Sequence, residues 1–566
     1  MIKLFLLLFF ISIVRIVSAQ SQLKQVNQAL QDINRRGEVY FSFHLNDLAQ
    51  LSKLTNEISL SNVQGNTVYA YANRKEFSGF AKKNIDYSVL TAPSELYPVQ
   101  MSNDPKQVLT WDYYPTYNVY ETLMQQFAAD HPEICKLITI ATLASGRKIL
   151  ALRISDNVNI EENEPEFLYS STIHGDETTG YILMLHLADY LLTGYSTDTR
   201  ITNLVNNFDI VICPLANPDG TYKGGNSTVN SATRYNANGI DLNRNYPDPQ
   251  AGQHPDGNVW QPETVAFMNF ASQNTFSMGA NFHGGAEVVN YPWDTWSKLN
   301  ADDAWWQYIS REYADTVHVN AIPNYLTDIM NGITNGYAWY PVYGGRQDYM
   351  NFYHYCREST IEISTTKLLP ASLLLSHWNY NYRSFLNYIE QAGYGLHGLV
   401  TDSVSGEPLY AKVFISGFDK DNSFVYTDPD VGDYHRLLKG RPVNYNVTFS
   451  AAGYLSKTIA VKVTDKKTTI LNVKLLKETL STNTITAGKP DIKIYPNPVI
   501  NGSTIIESEN PIQMLYVRDI TGKIMYSSIP PTHNFVIECN WPPGIYLFQI
   551  QVEGKWISKK IQVIND

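Results

Sequence analysis

Cysteine is scarce. Among 566 residues there are only Cys135, Cys213, Cys356 and Cys539, and no two of them stand in a C-x-x-C spacing. That pattern excludes a zinc ribbon and a disulfide framework, so large apolar cores must carry the fold. Positive charge is also short: 43 Lys and Arg against 54 Asp and Glu give a formal net charge of −11. Such a balance excludes nucleic acid and anionic membranes as partners and suits cationic ones. Long apolar runs are missing after the first residues; none reaches the roughly eighteen residues that a membrane-crossing helix needs, so no transmembrane anchor is expected. What is abundant is tyrosine, with 39 residues, whose polar-tipped rings suit a secreted protein that presents them to solvent or ligand.

The first residues read as a secretory signal peptide over residues 1–19: Lys3, an apolar run over residues 4–14, then small residues ending at Ala19 before Gln20. The remaining length implies about three or four domains. Residues 20–105 predict a small α+β module, with helices near residues 25–35 and 45–57 and strands near 38–43 and 67–71. Its position suits either a pro-segment or an accessory domain. Residues 106–394 alternate strands and helices, the pattern of an α/β domain. Residues 395–477 carry short alternating runs separated by turns and predict a β-sandwich. A polar linker over residues 478–490 leads to a second all-β domain over residues 491–566.

The chemistry lies in the α/β part. His174-Gly-Asp-Glu177 follows a strand and puts an imidazole and a carboxylate within reach of one metal ion, and His283, after a second strand, supplies a distant third ligand. Three protein ligands leave a position open, as catalytic zinc requires. By itself His-x-x-Glu is a weak signal; the order of the other residues strengthens it. Arg234, Asn243 and Arg244 share one loop, and the planar fork of arginine suits both an oxyanion and a free carboxylate. Glu358 and Glu362 stand on one face of a strand, so residue type alone leaves both open as the general base. His254 and His354 fall outside the ordered set.

With these residues in order, residues 111–395 resemble the zinc metallocarboxypeptidases of the funnelin family, specifically the regulatory subgroup that includes carboxypeptidases D, E, M and N. The resemblance implies one Zn2+ per catalytic domain, held by His174, Glu177 and His283. It implies Glu362 rather than Glu358 as base, Arg234 as the carbonyl-polarising group, and Asn243, Arg244 and Tyr340 around the terminal carboxylate. Asp294 and Gln347 match the subgroup's pocket for a basic side chain, which implies removal of C-terminal Lys or Arg. The chain departs from the subgroup at Asp176 (usually Asn), Glu287 (usually apolar) and Arg346 (usually Met). The β-sandwich is similar to the transthyretin-like domain of that subgroup, and Tyr495-Pro-Asn-Pro498 with Pro543-Gly-Ile-Tyr546 resembles a type IX secretion sorting domain. Implied partners are peptides with free, basic C-termini and the bacterial secretion machinery, and the implied location is the medium or the cell surface. Two other readings remain: a related zinc hydrolase acting on peptidoglycan stems or acylated amino acids, and an inactive adhesion protein.

Overall fold

The computed structural model describes residues 22–478, 492–500, 502–520, 522–528 and 533–564. The expected signal peptide and nearly all of the expected linker lie outside these residues. The N-terminal module begins with α1 (22–36) and builds a four-stranded sheet from β1 (Val39–His44), β2 (Ser59–Gln64), β3 (Thr67–Ala72) and β4 (Tyr87–Val89), in the order β2-β3-β1-β4. Helix α2 (Arg74–Phe80) starts where Asn73 and Glu76 form a capping box, which satisfies its first amides. Phe41, Phe43, Phe77 and Phe80 fill the core between sheet and helix. The helix expected near residues 45–57 is only a 3-10 turn, Leu48–Gln50, followed by a single helical turn, Leu51–Leu54. Polar side chains interrupt its apolar face, and the chain instead turns into β2.

The α/β region forms an eight-stranded mixed sheet. Its strands are β5 (Cys135–Thr142), β6 (Lys148–Ile154), β7 (Glu166–Ser171), β8 (Asp209–Cys213), β9 (Met278–His283), β10 (Ala286–Tyr291), β11 (Ile333–Asn335) and β12 (Arg357–Ser364), in the order β11-β10-β12-β9-β7-β8-β6-β5. The central strands β12, β9, β7 and β8 are parallel to one another. All of their residues are buried, as expected for strands covered on both faces. Helices α3 (Thr179–Gly194), α4 (Asp303–Asn320) and α5 (Leu374–Gln391) contribute to the largest apolar core. Each fully buried Leu or Phe side chain there adds about 1.5–3 kcal/mol of transfer free energy.

Residues 395–478 form two facing sheets around one core, with Leu396, Val413, Val447 and Phe449 at its centre. Residues 22–478 belong to one contact unit. The separate C-terminal unit contains a three-stranded and a four-stranded sheet around Leu515, Val517, Phe548 and Ile550. All four cysteines are buried free thiols. No helix among the described residues is long and apolar enough to cross a membrane.

Candidate active site

Open parallel sheets place ligands at the carboxyl ends of their strands, and the site stands there. After β7 the chain reverses at Thr172, a β-branched residue held at φ +64° by its side chain on the Glu177 carbonyl, 3.1 Å away, and its N–H on the Phe282 carbonyl. Strain of this kind is kept only where the surroundings enforce it. Gly175 follows His174 because a Cβ there would lie 2.4–2.6 Å from backbone atoms of Gly220, Thr221 and Thr233. His174, Glu177 and His283 thereby converge, with one ligand atom from each lying within 4.8 Å of the others.

The donor set fits a zinc ion. The Nδ1 atoms of His174 and His283 both face Oε2 of Glu177, at 3.0 and 2.9 Å. Their outer nitrogens are held from behind: Nε2 of His174 by Asp241, 3.1 Å away, and Nε2 of His283 by Asn281, 3.0 Å away. Such outer partners orient imidazole ligands and raise their basicity. Lys367 donates to Oε1 of Glu177 at 2.7 Å. Burial raises the Glu177 carboxyl, but the charges of His174 and Lys367 outweigh it and hold the group well below the usual range. Burial likewise holds His283 down, at about 4, so its imidazole is neutral and able to bind a metal.

Glu362 stands on β12 directly beside His283 on β9. Burial, reinforced by the charge of Glu177, raises its carboxyl well above the ordinary range, and its Oε2 has no partner among the described residues. Glu358, the rival on the same strand, accepts from Arg346 at 2.8 Å. Its burial with that arginine accounts for both residues, because the Arg346 guanidinium also stacks over Phe267, 4.6 Å away. Arg234 reaches Glu177 at 3.2 Å and Asp241 at 3.1 Å. Asn243 accepts from the backbone of Arg346, and Arg244 donates to the Asn243 carbonyl.

Asp294 is 4 % exposed, not a surface carboxylate. Its Oδ1 accepts from Asn290 at 3.1 Å, and a Cβ on Gly336 would come within 1.6 Å of the same oxygen. Burial pushes Asp294 up to about 6 against the pull of the Asn290 hydrogen bond and of Arg244. Asp348 accepts from the backbone amides of Asp294 and Thr295 at 2.8–3.1 Å and so fixes the turn that presents Asp294. Gln347 is anchored by Oε1 on the Thr360 amide at 2.7 Å, while its buried Nε2 has no partner among the described residues.

The other departures from the subgroup also have local partners: Asp176 accepts from Tyr71, and Glu287 accepts from Thr365 and Leu326. His354 bonds the Tyr349 hydroxyl and His254 packs its ring against Trp260, centroids 4.9 Å apart. Asp241, Asn281, Lys367 and Asp348 went unread in the sequence. Asp241 and Asn281 each stand two residues before a named site residue and Asp348 directly follows Gln347, so only Lys367 had no positional signal. Each of these site residues is nearly closed from solvent: Arg234 and His283 are 2 % exposed, Glu362 8 % and Tyr340 9 %.

Residues 120–384 match the family described as "Zinc carboxypeptidase", and residues 493–564 match the family described as "Secretion system C-terminal sorting domain". "Carboxypeptidase SOL1" of Arabidopsis thaliana is 36% identical over 355 residues, covering 62% of this chain and 69% of its own length. "Carboxypeptidase D" of Homo sapiens is 35% identical over 381 residues, 64% of this chain but 27% of its own length, so the chain spans little more than a quarter of that relative. "Carboxypeptidase M" of Mus musculus is 34% identical over 360 residues, covering 60% of this chain and 78% of its own.

Proposed function

This chain belongs to the zinc carboxypeptidase family, and we propose that it is an exported enzyme that removes C-terminal Lys or Arg from peptides. The observation that carries the reading is the convergence of His174, Glu177 and His283 with two buried arginines, Arg234 and Arg244, and one buried carboxylate, Glu362, whose Oε2 has no hydrogen-bond partner among the described residues. His174, Glu177 and His283 would hold the zinc ion, which when bound would supply Lewis acidity and lower the pKa of water.

The remaining roles belong to side chains. Glu362 takes a proton from the attacking water at its free Oε2 and later hands it to the departing amine, a task suited to a carboxyl raised toward the working pH. The Arg234 guanidinium faces the carbonyl oxygen and stabilises the charge that grows there. Arg244 and Asn243 hold the terminal carboxylate, with the Tyr340 hydroxyl closing over it. Asp294, presented by Asp348, attracts the basic side chain, and Gln347 offers its unpartnered Nε2 to the pocket. Arg346 leaves this preference intact because Glu358 neutralises it.

The sandwich over residues 395–477 serves as a transthyretin-like support. A signal peptide and the sorting tail direct the chain out of the cell. Nothing specific favours peptidoglycan stems as substrate, and a complete set of catalytic residues argues against a purely adhesive role. Glu362→Gln is expected to keep zinc, measured by metal analysis, and to lose about 10²–10⁴-fold in turnover. Full activity in that variant would end the assignment.

A further inference from the structure

The two carboxylate oxygens of Glu177 divide their partners. Oε2 faces Nδ1 of His174 and of His283 and accepts from the Gly284 amide at 3.2 Å, whereas Oε1 faces two cations, Lys367 at 2.7 Å and Arg234 at 3.2 Å. Arg234 is shared with Asp241 and is already assigned to the carbonyl oxygen. Lys367 has no part in holding substrate or in moving a proton, so its place beside the metal ligands calls for another role.

That lysine is built in rather than left over. It follows β12, and Leu368 and Leu369 after it lie in the largest apolar core. Its carbonyl accepts from the Thr178 amide at 3.0 Å, and its stem passes Gly285, where a Cβ would stand 3.0 Å from Cε of the lysine. The side chain is buried, with the ammonium 4.8 Å from the centre of the Tyr71 ring. Burying an ammonium is costly unless carboxylates pair with it. Here there are two. Asp176 is fully buried, its Oδ2 lies 3.9 Å from the ammonium and accepts from Tyr71, and its Oδ1 has no partner among the described residues.

We propose that Lys367 is a positioning residue for the metal: it holds Glu177 by Oε1, keeps Oε2 turned to the two imidazoles and draws charge from the carboxylate, while Asp176 limits how much it draws. The proposal rests on zinc being held by His174, Glu177 and His283. A carboxylate that gives charge to an ammonium has less to give a dication, so the site trades affinity for Lewis acidity. Asp176 acts in the opposite sense, because its charge attracts the dication and competes for the ammonium. Burial and the charge of Glu177 raise the Glu362 carboxyl, and the charges of Lys367 and Arg234 oppose them. The same ammonium therefore acts on the ligand and on the base.

The test measures two quantities on the full chain: the zinc dissociation constant, by competition with a chelator, and kcat and KM on hippuryl-Arg. Lys367→Met removes the charge, keeps the length and leaves Arg234 on Oε1. Zinc is expected to bind about 10-fold tighter in this variant, with kcat about 10-fold lower and KM unchanged. Asp176→Asn is expected to bind zinc about 10-fold more weakly, and the double variant to return close to the original affinity. If Lys367 only braced the fold, Lys367→Met would loosen Glu177 and weaken zinc. That result, or shifts of the same sign in the two single variants, overturns the proposal. Should Lys367→Met fail to fold, Asp176→Asn decides alone: weaker zinc upholds the proposal, and unchanged or tighter zinc overturns it. Zinc shifts of the expected signs in a chain that cleaves no C-terminal residue uphold the role of Lys367 and sink the carboxypeptidase reading instead.

Discussion

Two β-rich regions pack against the catalytic sheet, and they do so through different chemistry. The sandwich over residues 395–478 is fastened by a buried ion network: Arg436 bonds Asp302 at 2.9 Å and Asp419 at 2.6 Å, and Arg357 bonds the same Asp302 at 2.8 Å. None of these residues has a part in the site. The N-terminal module instead meets Arg234, Arg244, Tyr340 and Asp176 through single hydrogen bonds, and its buried Glu38 carboxylate accepts from the Arg234 and Tyr235 amides. The two interfaces differ in that only the second meets residues proposed above to hold substrate, Arg234, Arg244 and Tyr340.

That contrast can be broken first at Arg436. Arg436→Ala leaves Asp419 buried beside its weaker partners and should cost about 3–5 kcal/mol of stability, measured as a lower midpoint in denaturant. A smaller effect is expected in the pocket. Asp294→Ala should lower the Arg-over-Phe preference of the enzyme by about 1–3 kcal/mol, or roughly 5- to 150-fold, with kcat/KM on apolar ends little changed.

The same carboxyl gives the pH dependence. Asp294 titrates near 6 because burial raises it, and only its charged form attracts a cation. The preference for basic ends should therefore be full above about pH 7 and decline as pH falls through 6, with kcat/KM reporting the free enzyme. A preference that stays flat between pH 5 and 8 would remove Asp294 from the pocket.

Much of the site was legible because its chemistry fixes residue types in order: His174, Glu177 and His283 lie together, with Arg234 against Glu177 and Glu362 beside His283. The strands that bear them were legible as apolar runs, since parallel strands covered on both faces show no alternation. β2 was not legible. Ser59, Ser61 and Asn62 are buried polar residues, and the bulge between Leu60 and Asn62 puts the core residues Leu60 and Val63 three apart, so no period of two shows. For the same reason the segment before it read as the end of a helix. Lys367 escaped because its role is set by what it touches across the sheet, which spacing does not record. Arg346, a departure from the subgroup, is explained by its pairing with Glu358, twelve residues further on.

The most direct test of the central claim is kcat/KM of the zinc-loaded enzyme on a matched set of peptides ending in Lys, Arg and Phe. The account predicts cleavage of the last residue only, with Lys and Arg favoured over Phe by about 10–200-fold. Equal rates on all three ends, or cleavage within the chain, would contradict it.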